Sequence, residues 1–153
     1  MLYKGTLIAV TDMERSKKFY HDVLNMNVVN DFGANVELEH GLYLQEKETW
    51  VKFINNKAVH FQHNAGELYF EEQDMDSFLK KLEETAIAYV HQPVEHPWGQ
   101  RAVRFYDPDQ HIIEVGEEIR GVVKRFLNRG MSVEQVAAYM DVPVCYVQDC
   151  LQR

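Results

Sequence analysis

The sequence predicts an α+β fold built from two βαβββ units and closed by a three-helix tail. Two observations carry that expectation. The first is a repeat. A β-like run, an Asp-Met pair opening a helix, and three further β-like runs recur in one order, with Asp12-Met13 and Asp74-Met75 offset by 62 residues. The second is the stretch 98–115, WGQRAVRFYDPDQHIIEV, in which alternating runs at 103–106 and 112–115 flank Asp107-Pro108-Asp109. That tripeptide is a strong turn signal, because Pro presets φ and Asp bonds its own backbone. The units fall at residues 1–56 and 57–118, the tail at 119–153.

In the first unit a strand covers residues 2–10, and Thr11-Asp12-Met13-Glu14 reads as a capping box in which the Thr and Glu side chains satisfy orphan amides. The helix runs to about Leu24, with Phe19, Tyr20, Val23 and Leu24 as its apolar stripe. Strands follow at 27–31, 36–39 and 42–46, the last two joined tightly at His40-Gly41. In the second unit a strand at 67–72 leads to a helix with Phe78, Leu79 and Leu82 inward, then to strands near 88–90, 101–106 and 112–115. In the tail Ile119, Val122, Val123, Phe126 and Leu127 recur at helical spacing and stop at Asn128-Arg129-Gly130. Ser132 to Gln135 opens a second helix, Asp141-Val142-Pro143 breaks it, and 144–151 form a third. The stripe Val136, Met140, Val144, Val147 and Leu151 is expected to close a small cluster over the first tail helix.

At 153 residues, 46% apolar and 26% charged, the chain is a globular domain of ordinary size. No apolar run approaches the ~20 residues of a membrane span. The first ten residues carry a lone Lys and no small-residue cleavage site, so they read as a strand rather than a signal peptide. Cys145 and Cys150 point to different faces of one helix and make neither a disulfide framework nor a zinc pattern, which fits a reducing cytoplasm. The net charge of −8 divides into −10 over residues 1–118 and +2 over the tail. So acidic a body repels phosphate backbones. The tail segment 132–151 looks like a helix-turn-helix, but its third helix exposes Tyr146, Gln148, Asp149 and Gln152 with only Arg153 basic. A docking or dimer-supporting appendage is expected there, with no nucleic acid and no membrane as partner.

The stretch 98–115 resembles the C-terminal signature of the vicinal oxygen chelate superfamily, which includes glyoxalase I, bleomycin- and fosfomycin-resistance proteins and extradiol dioxygenases. The resemblance spans roughly residues 1–118 and implies that the two units join their sheets into a curved, open half-barrel around a cup. Strand alternation then sorts the side chains. Ile113 and Val115 go to the core and Glu114 to the cup; by the same rule Gly5, Tyr43, Gln45, Glu67, Tyr69, Glu71, Arg104 and Tyr106 face the cup. That is a polar pocket on surface that could have been aliphatic.

In metal-dependent members the ligands come from the first and last strands of each unit, which match Gly5, Tyr43, Glu67 and Glu114 here. Gly5 offers no donor, and the Tyr43 phenol would have to lose a proton of pKa ~10. Glu67 and Glu114 alone fall short of the three or four donors of a tight site. No tightly bound cofactor is expected, although water could complete a weak magnesium or manganese shell on these two glutamates. Gln110 stands where the family's turn has glycine, which is tolerable if the residue is not left-handed. His21 lies on the first helix and the other histidines read as solvated loop residues, with His63 or His96 reaching the cup edge as the alternative; the isolated Gly99 and Gly116 belong to no motif. The segment holding Trp98 usually borders the pocket in the family. Arg104 either holds a substrate anion or forms a structural pair with Glu67 or Glu114.

The resemblance thus implies a homodimeric binder of a small polar molecule, or a glyoxalase-like lyase or isomerase with a degenerate metal site. If it catalyses, Glu114 or Glu67 acts as general base while Tyr43 and Arg104 steady an oxyanion; Tyr69, Tyr106, Trp98 and Gln45 contact the ligand. The alternatives are a ligand-sequestering or ligand-sensing protein and, behind it, a DNA-binding regulator acting through the tail.

Overall fold

The structure, a computed structural model, describes residues 1–152. It divides into two compact units, one of residues 1–66 with 106–112, the other of residues 67–105 with the chain from Ile113 onward.

In the first unit β1 (Thr6–Val10) is followed by α1 (Met13–Leu24), β2 (Val28–Asp31), β3 (Asn35–Leu38), a 3-10 turn, β4 (Leu42–Glu46) and α2 (Lys47–Phe53). The sheet order is β1-β4-β3-β2, with β1 parallel to β4 and the remaining pairs antiparallel. β2 is an edge strand, exposed throughout and bulged between Val28 and Asn30. β1 starts at Thr6 rather than at residue 2 because the chain must first pass the turn before β4. A Cβ on Gly5 would lie 1.9 Å from the Gly41 carbonyl oxygen, so only glycine allows the crossing. α2 has no counterpart in the sequence reading: it buries no residue and has no side-chain cap, so it offers neither stripe nor start signal.

α1 buries Ser16, Tyr20 and Val23. Its cap is Asp12, one residue later than the sequence suggested; the carboxylate accepts from the Arg15 amide at 3.0 Å. Thr11 is engaged elsewhere. Its amide (3.2 Å) and its hydroxyl donate to the Asp109 carboxylate, which also receives Arg15 Nη2 at 3.1 Å and Ser16 Oγ at 3.4 Å. The Tyr20 hydroxyl donates to Asp107 at 2.9 Å. Burial, then the adjacent Asp107 carboxylate, pushes the Tyr20 phenol well above its ordinary value. The turn itself is held by Asp107, which accepts from the amides of Asp109 (2.9 Å) and His111 (2.8 Å). Gln110 is left-handed at φ +67°, so the condition for replacing glycine without strain is not met.

In the second unit β5 (Glu67–Glu72), α3 (Met75–Glu83), β6 (Ala88–Glu95), β7 (Arg101–Tyr106) and β8 (Ile112–Glu117) repeat the first pattern, with sheet order β5-β8-β7-β6. Asp74 caps α3 through the Ser77 amide at 3.1 Å, and Met75, Phe78 and Leu82 are its buried face. β6 continues past Val90 through Pro93, which an edge strand tolerates because its N–H side need not pair.

The tail forms α4 (Ile119–Asn128), α5 (Val133–Met140) and α6 (Val144–Gln152). Ser132 and Gln135 complete a reciprocal capping box at α5. Val122, Val123, Phe126, Val136, Ala137, Met140 and Val147 form one buried cluster. Val144 and Leu151, expected in its stripe, are exposed instead. Arg153, the basic residue expected on the third helix, lies outside the described residues. Among the described residues no helix is long and apolar enough to cross a membrane.

Candidate functional site

β8 alternates in face as its sequence requires, but residues 113–117 are all buried. Ile113 and Val115 are buried in the core, while Glu114, between them, is only 6% exposed although it points to the opposite face. A buried carboxylate must be paired, and its partner comes from β7. Arg104 Nη2 donates to Glu114 Oε2. The same guanidinium donates from Nε to Glu67 Oε2 at 2.8 Å and from Nη2 to Glu67 Oε1 at 3.3 Å, a bidentate fork onto β5. On β6, His91 Nε2 lies 3.3 Å from Arg104 Nη1.

The two glutamates are pushed in opposite directions. Burial, reinforced by its hydrogen bond with Glu67, raises the Glu114 carboxyl above the usual carboxylate range. The Arg104 fork holds Glu67 below that range. Their hydrogen bonds and charges raise Arg104 in turn. Two carboxylates beside one shared cation are thus set apart in acidity, Glu114 as the weaker acid and Glu67 as the stronger.

A second cluster shares β5. The Tyr69 hydroxyl donates to Glu71 at 3.0 Å and accepts from Gln100 Nε2 at 3.3 Å. Gln100 is buried; its Oε1 accepts from the Trp98 indole at 3.0 Å, and the His96 ring stacks on Trp98 at 4.3 Å. Burial, then the charge of Arg104, lowers His96 and so favours its neutral form.

Of the residues singled out from sequence, the structure brings Glu67, Arg104 and Glu114 together and sets Tyr69 and Trp98 around Gln100. Tyr43, Gln45 and Tyr106 belong to the first unit. There the Tyr43 hydroxyl donates to Glu37 at 2.9 Å, a bond that raises its pKa further from the ligating form. The buried Gln45 amide is spent on the Ala34 carbonyl (2.8 Å), Asn35 (2.9 Å) and Thr49. Tyr106 donates to Asn64 at 3.3 Å. Sequence reasoning missed His91 and Gln100, and left His96 between a solvated loop and the cup edge. His91 was hidden by Pro93, which argues against a continuing strand, although the alternation from Tyr89 to His91 was there to be followed.

Within the second unit, Glu67 and Glu114 offer two carboxylates, and one guanidinium already engages both. Among the described residues no three His, Cys, Asp or Glu side chains converge as a metal set.

Residues 3–120 match the family described as a glyoxalase-like domain. The chain belongs to that family. The match ends at residue 120, the second residue of α4, so most of the tail lies beyond this glyoxalase-like domain. A protein of unknown function from Agrobacterium tumefaciens is 34% identical with a TM-score of 0.70, the alignment covering 77% of this chain and 94% of that one. A hypothetical protein of S. aureus (19%, TM-score 0.65, 76% and 94%) and a lactoylglutathione lyase of A. tumefaciens (24%, TM-score 0.58, 77% and 94%) share the fold. No curated protein matches the sequence.

Proposed function

We propose that this glyoxalase-like domain binds a small polar molecule against Glu67, Arg104 and Glu114, and that Glu114 moves a proton on it in a lyase or isomerase reaction that uses no tightly held metal. The observation that carries this reading is a buried glutamate, Glu114, sharing the Arg104 guanidinium with Glu67, an arrangement that raises Glu114 and lowers Glu67. Such a split assigns one group to proton transfer and the other to charge. A base whose pKa rises toward neutrality is the better catalyst at cellular pH. Arg104 supplies positive charge beside any oxyanion that develops. Because both carboxylates already engage it, the cluster carries excess negative charge, which favours neutral or cationic ligands over the anion that a free Arg104 would select.

The test starts from native mass spectrometry for a co-purified molecule and a thermal-shift screen of neutral and cationic polar compounds. Deuterium exchange at the C–H bonds of the bound compound in heavy water is then followed in wild type and Glu114→Gln. A fall of roughly 100-fold or more with near-normal affinity is expected, the range general acid–base groups supply. Equal exchange in both proteins would refute the proton role. Tight binding with no exchange in wild type would support the second reading, sequestration, which the full pairing of Arg104 favours. The same reading has two copies working as a two-fold dimer, with the exposed edge strand β2 as one surface that needs covering. Sedimentation as a monomer at micromolar concentration would remove that part.

A further inference from the structure

The helices beyond the glyoxalase-like domain reach back to the loop between β6 and β7. That loop is a closed turn: the His96 amide donates to the Gln100 carbonyl and the Gly99 amide to the His96 carbonyl, both at 2.8 Å. Its own bonds leave the Gly99 carbonyl free, and α4 takes it. Arg125 Nη2 donates to Gly99 O at 2.6 Å and to the buried Glu117 carboxylate at 2.9 Å. One guanidinium thus ties α4, the loop and the end of β8.

Packing closes the same contact. Gly99 is left-handed at φ +84°, and a Cβ there would lie 2.3 Å from the Phe126 ring and 3.3 Å from that of Tyr139. Phe126 and Tyr139, from α4 and α5, meet edge to face at 4.9 Å and together form the seat for the glycine. On the other side of the loop Gln100 Nε2 donates to the Glu117 carbonyl at 2.9 Å and to Tyr69 at 3.3 Å. Gly116 makes room for it, since a Cβ there would lie 2.9 Å from that nitrogen.

We infer that Arg125 is a positioning residue of the candidate ligand site, and that the C-terminal helices are a latch setting the loop that carries Trp98 and Gln100. The inference rests on the proposed site only in giving the loop a purpose; the latch itself stands without a ligand. Releasing Arg125 frees the Gly99 carbonyl, loosens Gln100 and removes the second hydrogen bond of Tyr69. A partner that draws the helices away would therefore weaken binding at the loop from a distance.

The test is made in a Trp50→Phe background, which leaves Trp98 as the single indole of a chain with two tryptophans. Acrylamide quenching and hydrogen exchange of the Trp98 indole are read in that protein, in Arg125→Ala and in Arg125→Lys, with helix content from circular dichroism. The latch predicts at least a two-fold rise in quenching and faster indole exchange in Arg125→Ala at unchanged helix content. Lysine, which can still reach one of the two acceptors, should restore part of both. Should Arg125→Ala lose its helices, Tyr139→Ala replaces it, removing one wall of the Gly99 seat with the same readouts. Unchanged quenching and exchange in a folded variant overturn the latch, whatever becomes of the proposed ligand.

Discussion

Replacing Arg104 by Met tests what its guanidinium does for the two glutamates. The stem volume is largely kept, so the change removes charge, three hydrogen bonds to the glutamates and one with His91 rather than packing. Removing one partner of a buried pair costs about 3–5 kcal/mol. Here the side chains of Arg104, Glu67 and Glu114 are 26%, 34% and 8% exposed, so solvent screens part of the loss. Roughly 2 kcal/mol at neutral pH is the reasonable expectation once that screening is allowed for. For a domain of this size that corresponds to a fall in Tm of about 4–8 °C. The pH dependence has a definite sign. In wild type the lowered Glu67 contributes stability above the ordinary carboxylate range, lost as pH falls through its folded pKa. In the variant both carboxyls, facing each other without a cation, rise above their unfolded values, and their penalty disappears as they protonate. Both effects shrink the difference in acid. Urea unfolding at neutral pH and near ~pH 4 measures it. A loss below about 0.5 kcal/mol, or one independent of pH, would refute the reasoning. Manganese should stabilise the variant more than wild type, because the vacated carboxylates then face a cation they can share.

Three further outcomes follow from the backbone and the tail. Gly5→Ala places a methyl where the Gly41 carbonyl stands, 1.9 Å away, and should cost more than about 3 kcal/mol in urea unfolding; a loss under about 1 kcal/mol would contradict the crossing. Gln110→Gly relieves a left-handed residue and should raise stability by about 0.5–1 kcal/mol, the strain partly offset by the freer unfolded chain; no gain in Tm would count against it. Burial opposes the charge of Glu117, but its bonds with Arg101 and the charges of Arg125 and Arg101 hold it below the usual range. Glu117→Gln should therefore lose about 2 kcal/mol at neutral pH, and the difference should vanish as pH falls through that lowered pKa. A constant difference across that interval would show that the contacts are not ionic.

The sequence made the strands legible wherever alternation met a buried face. β4, β5 and β7 have the bounds their patterns indicate, and the shared side of Glu67, Arg104 and Glu114 follows from period two alone. Alternation gives a side, not a partner. It placed Tyr43 and Gln45 among ligand contacts, whereas local acceptors on Glu37 and Ala34 occupy them. Thr11 carried a sound capping signal, but its partner, Asp109, lies 98 residues away and no local rule reports it. Gly99 and Gly116 belonged to no motif because their role is to be absent of side chain against Phe126 and Gln100, which only packing reveals. The extent of β6 depended on its being an edge strand, a property of the sheet rather than of residues 88–95.

The most direct test of the central claim is the titration of Glu114 and Glu67, read from their side-chain carboxyl carbons by NMR. The account predicts that Glu114 titrates above the ordinary carboxylate range and Glu67 below it, and that Arg104→Met raises Glu67 to meet its neighbour. Two glutamates titrating together at ordinary values in the wild-type protein would contradict it.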